Sequence, residues 1–353
     1  MVHAVKLTRL AQRLNGIPGN SDSARNYFPV APTPADGLPR AVLAGPSNAA
    51  LAAALLFAIF VWGGSNAAVG YLVRDWPPFW TGFSRMAGVG LVMVALLRWT
   101  RWFGVPHTPD AALSRALWWR GGLSLAVYVA LFTCSLQFIS VAHVAVYLGA
   151  SPVWVLLMEG RAAHSGVMLW RYLAAALALG GVVVLFWPKL AATGGQHHWL
   201  GDALGFAAGW LWAGYSKLCR GFGTQLSGVE ITAHTMWRAA VLLAPFAVWE
   251  LATRPMTWRW DLVGAQAYCI VFGGLVAFGI WHSALRRWPA SRVFLFNNLI
   301  PLTTMVWAWV LLDQPPTETF WTAMALVAAG VVLGQSTYRK SEDKPTDNPP
   351  VKE

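Results

Sequence analysis

The chain has 353 residues, of which 56% are hydrophobic and only 12% are charged, roughly half the charged fraction of a soluble domain. This balance excludes an ordinary soluble protein and indicates an integral membrane protein. The net charge of +11 would suit nucleic acid, but the basic residues lie in short loops and tails, so no nucleic-acid partner is expected. Three cysteines without CxxC spacing predict neither disulfides nor a metal site.

The chain begins with a polar segment. Residues 1–48 combine a short basic start with a stretch rich in Pro, Gly, Ser and Asp, which predicts a disordered cytoplasmic tail. Residues 338–353 are rich in charged residues and contain prolines, which predicts a second disordered cytoplasmic tail. Ten apolar runs of roughly membrane-spanning length lie between the tails. They are 49–72, 79–97, 117–139, 141–159, 168–187, 200–220, 230–251, 262–285, 290–312 and 318–336.

The distribution of Lys and Arg predicts the orientation of these runs. With the amino terminus in the cytoplasm, 20 basic residues fall on the cytoplasmic side and four on the other side. The excess of positive charge marks the cytoplasmic side, so both termini are predicted to be cytoplasmic in a multi-pass protein of the cell membrane. Two further arginines, Arg85 and Arg238, lie within predicted spans.

The polar groups of the first five runs recur in the same order in the last five. Arg85 and Arg238 lie early in the second and seventh runs, and a proline lies near the middle of the fourth and ninth, at Pro152 and Pro301. Pro152 precedes Gly180 by 28 positions and Pro301 precedes Gly330 by 29. The sequence WGGSN, with Trp62 and Asn66, corresponds to WAGYS, with Trp212 and Ser216.

This duplication predicts two five-helix units, at 49–187 and 200–337. Because five is odd, the second unit enters the membrane from the opposite side, and the units form an inverted repeat. Inverted repeats are typical of transporters that expose one central site alternately to each side. The predicted fold is therefore an all-α membrane protein with ten transmembrane helices.

The order and duplication of these motifs resemble the EamA-type drug/metabolite transporters over residues 49–337. The resemblance implies ten-helix carriers built from two five-helix repeats, with the cavity among the first four helices of each. It implies amino acids and related metabolites as the leading substrates, moved outward. The family also includes carriers of nucleotide sugars and triose phosphates, so those substrates stay open.

Two arginines are candidates for substrate binding. An arginine within a membrane span is costly unless it faces a cavity or a partner. Arg85 and Arg238 are therefore candidates to hold a substrate carboxylate through paired hydrogen bonds. The alternative is that each locks neighbouring helices through backbone carbonyls.

The two mid-span prolines suggest further site residues. Pro152 and Pro301 predict helix kinks, and the carbonyls they free are expected to be satisfied by hydroxyls, by a ligand, or by the amides of Asn297 and Asn298. His282 is a candidate proton site near the end of its span. The other candidates for contact with a small-molecule substrate are amide, aromatic and hydroxyl side chains: Trp62, Asn66, Tyr147, Trp212, Ser216, Asn297 and Asn298.

The apolar runs contain no HExxH motif, P-loop or paired aspartates, so no catalytic residue, metal or cofactor is predicted. We interpret the chain as a secondary transporter of small organic metabolites that is in contact with the lipid bilayer. The sequence does not decide whether it forms a homodimer. The alternative is a polytopic membrane enzyme acting on lipid-linked substrates. It would need a cluster of acids or histidines at one membrane face, and His197 and His198 beside Asp202 are the nearest approach to one.

Overall fold

The computed structural model describes residues 47–139, 141–159, 166–192, 199–312 and 318–342. The rest of the two predicted tails, at 1–46 and 343–353, lies outside this part of the chain. The described residues form helices and short connections, which confirms the all-α prediction. The helices are α1 (Asn48–Leu72), α2 (Pro78–Trp99), α3 (Ala111–Ser135), α4 (Val141–Gly149), α5 (Ser151–Glu159), α6 (Gly166–Ala192), α7 (Trp199–Phe222), α8 (Gly228–Thr253), α9 (Trp260–Arg287), α10 (Ala290–Asn297), α11 (Ile300–Leu312) and α12 (Glu318–Glu342).

Seven of the helices in the described ranges are long and apolar enough to cross a membrane: α1, α2, α3, α6, α8, α9 and α12. The other three predicted runs differ from them in ways that the sequence explains. The fourth and ninth runs are each broken into two short helices, and α7 carries Asp202, Lys217 and Arg220. The structure therefore describes a multi-pass membrane protein with seven long apolar helices.

Side-chain caps and contacts set several helix ends beyond the apolar runs. α3 begins six residues before the predicted 117, because the Asp110 carboxylate accepts a hydrogen bond from the Leu113 amide at 2.7 Å. α12 continues to Glu342, six residues beyond the end of the last apolar run at 336. Tyr338 explains the extension, since it is buried, its hydroxyl bonds Ser291, and the Arg171 guanidinium lies 3.9 Å from its ring centre.

Glycines allow the closest helix crossings. α2 packs on α8 at Gly90, where a Cβ atom would lie 2.7 Å from the Trp237 Cα. α6 packs on α12 through a reciprocal pair, with Gly181 against Ala323 and Gly330 against Ala174. Small residues at such contacts let backbones approach closely, which is how helices associate in lipid.

The two halves of the chain, α1–α6 and α7–α12, exchange their first helices. α1 packs on α9 and α11 of the second half, and α7 packs on α3, α4 and α5 of the first half. Hydroxyl groups join the surfaces: Thr303 donates to the Ile59 carbonyl at 3.1 Å, and Ser151 donates to the Gly209 carbonyl at 3.1 Å. Each half therefore completes the packing of the other.

Both broken helices restart at a proline. α5 has Pro152 as its second residue and α11 has Pro301 as its second residue, positions where the missing N–H costs no helical hydrogen bond. The breaks lie at Ala150 and at Asn298–Leu299. They face each other, because a Cβ atom on Gly149 would lie 3.5 Å from the Asn298 Oδ1.

Candidate functional site

A central cavity lies where the broken helices meet the first helices of each half. It contains about 30 Å³ of space for water, which is room for one or two water molecules. Eight helices contribute to its wall, four from each half. The ten lining residues are Trp62, Asn66, Arg85, Tyr128, Phe132, Leu148, Trp212, Phe278, Asn297 and Ile300.

Arg85 supplies the charge in this cavity. Its side chain is 7% exposed, and the guanidinium forms no hydrogen bond or ion pair with the residues that the structure describes. The ten lining side chains include no Asp or Glu. A positive charge removed from water without a counter-charge is costly, so the cavity is suited to an anionic group.

Asn66 lies one turn from Trp62 on α1 and also lines the cavity. It is half-buried, and its amide has no hydrogen bond to a described residue. The Trp62 indole, in contrast, donates to the Gly273 carbonyl at 2.6 Å. Gly273 lies in a π-helical turn of α9, Cys269–Val276, where the helix widens and turns a carbonyl outward. Trp62 is therefore fixed, whereas the Asn66 amide is available to a ligand.

Aromatic rings form another part of the cavity wall, centred on Trp212. Its indole stacks on Tyr128, with ring centres 5.1 Å apart, and on Trp281 at 5.5 Å. Phe278 meets it edge to face at 5.7 Å. The Tyr128 hydroxyl makes no hydrogen bond with a described residue, and the ring lines the cavity. The wall is thus apolar, with one hydroxyl beside the charged side.

Asn297 links the two broken helices. Its Nδ2 donates to the Leu148 carbonyl at 3.4 Å, and its Oδ1 accepts from the Trp212 indole at 3.3 Å. Leu148 lies in the last turn of α4, where carbonyls have no helical partner because the helix ends at Gly149. The sequence predicts that Asn297 satisfies groups near Pro301; the structure shows that it satisfies a carbonyl freed in the other half.

Asn298 lies outside the cavity lining, although it is adjacent to Asn297. It is fully buried, and neither atom of its amide group has a hydrogen-bond partner. An unsatisfied buried amide costs about 1–3 kcal/mol. This cost marks the α10–α11 break as a segment whose hydrogen bonding is incomplete in the described conformation.

Four other predicted site residues also lie outside the cavity lining. Tyr147 donates to the Asp202 carboxylate at 3.0 Å, between α4 and α7. Ser216 accepts a hydrogen bond from the Trp281 indole at 3.3 Å and is fully buried. His282 is also fully buried, with hydroxyls on both ring nitrogens: Tyr215 at 3.0 Å and Thr232 at 2.8 Å.

Arg238 is the fourth of these predicted site residues that lie outside the cavity lining. It donates to the His234 carbonyl at 3.0 Å and to the Ser114 hydroxyl at 3.4 Å, between α8 and α3. Five of the predicted residues do meet at the cavity: Trp62, Asn66, Arg85, Trp212 and Asn297. Sequence reasoning missed Tyr128, Phe132 and Phe278. The aromatic pair at 128 and 132, one helical turn apart, shares one face of α3, but the sequence does not show that this face meets the cavity.

The fold and cavity define a multi-pass membrane protein with a small cavity at its centre, lined by one arginine, two amides and aromatic rings. Comparison with known proteins specifies the class. The EamA-like transporter family matches two successive segments, residues 49–187 and 199–334, and the chain belongs to this family.

Individual relatives agree with this membership. An uncharacterized transporter of Archaeoglobus fulgidus is 25% identical over 291 residues, which cover 79% of this chain and 95% of the relative. A probable amino-acid metabolite efflux pump of Escherichia coli (strain K12) is 25% identical over 292 residues, with 79% and 92% covered. A solved structure titled "Crystal structure of protein" has a similar fold, with a TM-score of 0.67 at 19% identity, covering 84% of this chain and all of that one.

Proposed function

We propose that the protein is a secondary transporter that exports amino acids or related small metabolites, and that it is not an enzyme. One observation carries this proposal: the buried Arg85 guanidinium lines a central cavity and has no counter-charge among the described residues. Membership in a transporter family gives the class of protein, and the arginine gives the chemistry of the site.

A carboxylate is the group that completes this site. It would accept paired hydrogen bonds from Arg85, which are the strongest that an arginine makes, and would neutralise its charge. The Asn66 amide and the Tyr128 hydroxyl provide further polar contacts, and the indole of Trp212 provides an apolar wall. The name of the Escherichia coli relative, a probable amino-acid metabolite efflux pump, supports the same substrate class.

Alternating access is the mechanism that suits this geometry. The described cavity, at about 30 Å³, is too small for a metabolite, so we propose that a metabolite enters only after helices separate on one side. We propose ten spans in two inverted units, at 49–187 and 200–337. The exchange of α1 and α7 between the halves supports this arrangement, as does the pairing of α2 with α8 and of α6 with α12. The two helix breaks are the places where the backbone can move with least loss of hydrogen bonding.

The proposed orientation places both termini in the cytoplasm and the chain in the cell membrane. A reporter active only in the cytoplasm, fused after Lys340, is expected to be active. A reporter that is active only outside the membrane, fused at the same residue, should be silent. The opposite pair of results would overturn the even number of spans.

Counterflow tests the substrate proposal directly. Purified protein is placed in liposomes loaded with unlabelled amino acids, and entry of each labelled amino acid is measured. We expect selective accumulation of one or a few amino acids. Competition then tests the role of the carboxylate: the unlabelled amino acid should compete, whereas its carboxamide should compete at least about tenfold less well, since it accepts no charge-assisted pair from Arg85.

Two results would contradict the proposal. Equal competition by the carboxamide would remove Arg85 from carboxylate binding. Accumulation of sugar nucleotides or phosphorylated metabolites, without accumulation of any amino acid, would agree with a transporter but would contradict the proposed substrate class.

A further inference from the structure

A second cavity lies near the start of α3, where α3 meets α8. Its volume is about 400 Å³, and it is lined by Ser114, Arg115, Trp118, Trp119 and Leu242. None of these residues lines the central cavity. This α3–α8 pocket is therefore a separate feature, and the transport site does not account for it.

The pocket has a polar end and an apolar end. Ser114 and Arg115 lie in the first turns of α3, before the apolar run that begins at 117. Trp118, Trp119 and Leu242 belong to apolar runs, and Trp119 is 67% exposed. Indole rings at the start of a span are typical of the boundary between water and hydrocarbon. The pocket thus extends from that boundary into the apolar layer.

Arg238 lies behind the polar end. It is 4% exposed, its Nε has no hydrogen-bond partner, and no described carboxylate forms an ion pair with it. Its guanidinium lies 4.3 Å from the Trp237 ring centre and 5.4 Å from the Trp118 ring centre. Because Arg238 donates to the Ser114 oxygen, the hydroxyl hydrogen of Ser114 is free to donate into the pocket. The pocket therefore presents one hydroxyl donor and the charge of Arg115, and the charge of Arg238 lies behind Ser114.

We propose that the α3–α8 pocket binds an anionic phospholipid. The phosphodiester accepts hydrogen bonds from Ser114 and Arg115, with the charge of Arg238 beneath it. An acyl chain lies against Trp119 and Leu242. Basic pockets between helices on the cytoplasmic side are typical sites for anionic lipid headgroups, and the arginine distribution places this end of α3 on that side. A free phosphate would leave the apolar half of the pocket unused.

Binding of matched lipids to the purified full-length protein tests this proposal. Native mass spectrometry in neutral detergent measures retention of phosphatidylglycerol and of phosphatidylcholine with the same acyl chains. We expect the anionic lipid to bind at least about fivefold more tightly, the effect of one arginine near a headgroup. Arg115→Gln should remove about that factor. Trp119→Ala should weaken both lipids to the same extent, because it removes apolar contact only.

Arg101→Gln is the matched control. Arg101 is exposed in the connection that leads into α3, so it lies on the same side of the membrane as Arg115 but does not line the pocket. Phosphatidylglycerol binding should be unchanged in this variant. If Arg115→Gln does not give a monodisperse protein, Ser114→Ala tests the same contact.

Three outcomes would overturn the proposal. Equal binding of the two lipids would exclude recognition of the anionic headgroup. An equal loss in Arg101→Gln and Arg115→Gln would indicate general attraction by surface charge. Displacement of the lipid by glycerol phosphate at equal concentration would show that the pocket selects a soluble phosphate.

Discussion

Arg85 and Arg238 lie at matching places in the two sequence repeats, and their surroundings differ. Arg85 faces the central cavity without a described partner, whereas Arg238 is held by His234, Ser114 and two indole rings at the α3–α8 contact. Both are nearly buried, at 7% and 4% exposed. Burial alone therefore does not distinguish the proposed substrate site at Arg85 from the structural contact at Arg238; the neighbouring groups do.

The largest effect is expected from Arg85→Gln. Loss of the charged, paired hydrogen bonds to a carboxylate corresponds to about 3 kcal/mol, or a fall of roughly 100-fold in kcat/KM for transport. The measurement is initial counterflow rate against substrate concentration in liposomes. The unfolding temperature should not fall, because the side chain has no protein partner to lose.

Arg238→Gln should have the opposite effects, with a loss of stability and little change in transport. It is expected to lower the unfolding temperature of the purified protein, since it removes the contacts with Ser114 and the indole rings, and to leave KM for the substrate within about threefold. Arg74→Gln, at an exposed arginine outside both cavities, is the control for loss of one charge. A KM effect of Arg238→Gln as large as that of Arg85→Gln would refute the difference between the two arginines.

Asn297 and Asn298 are adjacent in the chain and both buried, but they also differ in their neighbouring groups. Asn297→Leu leaves the Leu148 carbonyl without its donor and is expected to destabilise the fold by about 1–3 kcal/mol. Asn298→Leu removes an amide that has no partner, so it should be neutral or stabilising. Thermal unfolding in one detergent measures both. Equal losses in the two variants would contradict the hydrogen bonding described.

A smaller effect is expected at the available polar groups of the cavity. Asn66→Ala and Tyr128→Phe each remove one neutral hydrogen bond to the substrate, which corresponds to about 1 kcal/mol, or roughly a fivefold rise in KM. Stability should change little, because neither group bonds a described residue. Ser216→Ala, a buried hydroxyl outside the cavity, is the comparison and should leave KM unchanged.

The smallest effect is expected at His282. Its ring is fully buried between two hydroxyls and does not line the central cavity. An exposed histidine changes its charge between about pH 5 and 8. We therefore expect transport by His282→Gln to depend on pH over this range as transport by the wild type does. A shift of the pH profile in this variant would restore His282 as a proton site.

The sequence predicts an all-α membrane protein, and the repetition of its motifs adds the proposal of two related halves. Two prolines, two arginines and the matching segments WGGSN and WAGYS, in the same order, predict matching helices. Five of the predicted side chains meet in one cavity. The sequence could not separate Asn297 from Asn298. Adjacent helical residues point about 100° apart, and only the position of the facing helix decides which of them reaches the cavity.

Tyr128 and Phe278 were missed for a different reason. α3 and α9 are apolar on nearly all sides, so their hydrophobic pattern selects no face. A ring that contacts lipid and a ring that contacts substrate then look alike in sequence. The neighbours that distinguish them come from the other half of the chain, as Trp212 does for Tyr128.

The exchange of first helices between the halves has a consequence for synthesis of the protein. Thr303 follows its partner Ile59 by 244 residues. At about 5–20 residues per second, a ribosome needs roughly 12–50 s to deliver α11 after α1 has entered the membrane. During that interval, the face of α1 that carries Trp62 and Gly63 has lipid or the insertion machinery as its neighbour. A chain that ends after α6 would keep that face uncovered, and such a fragment is an expected substrate for membrane proteases.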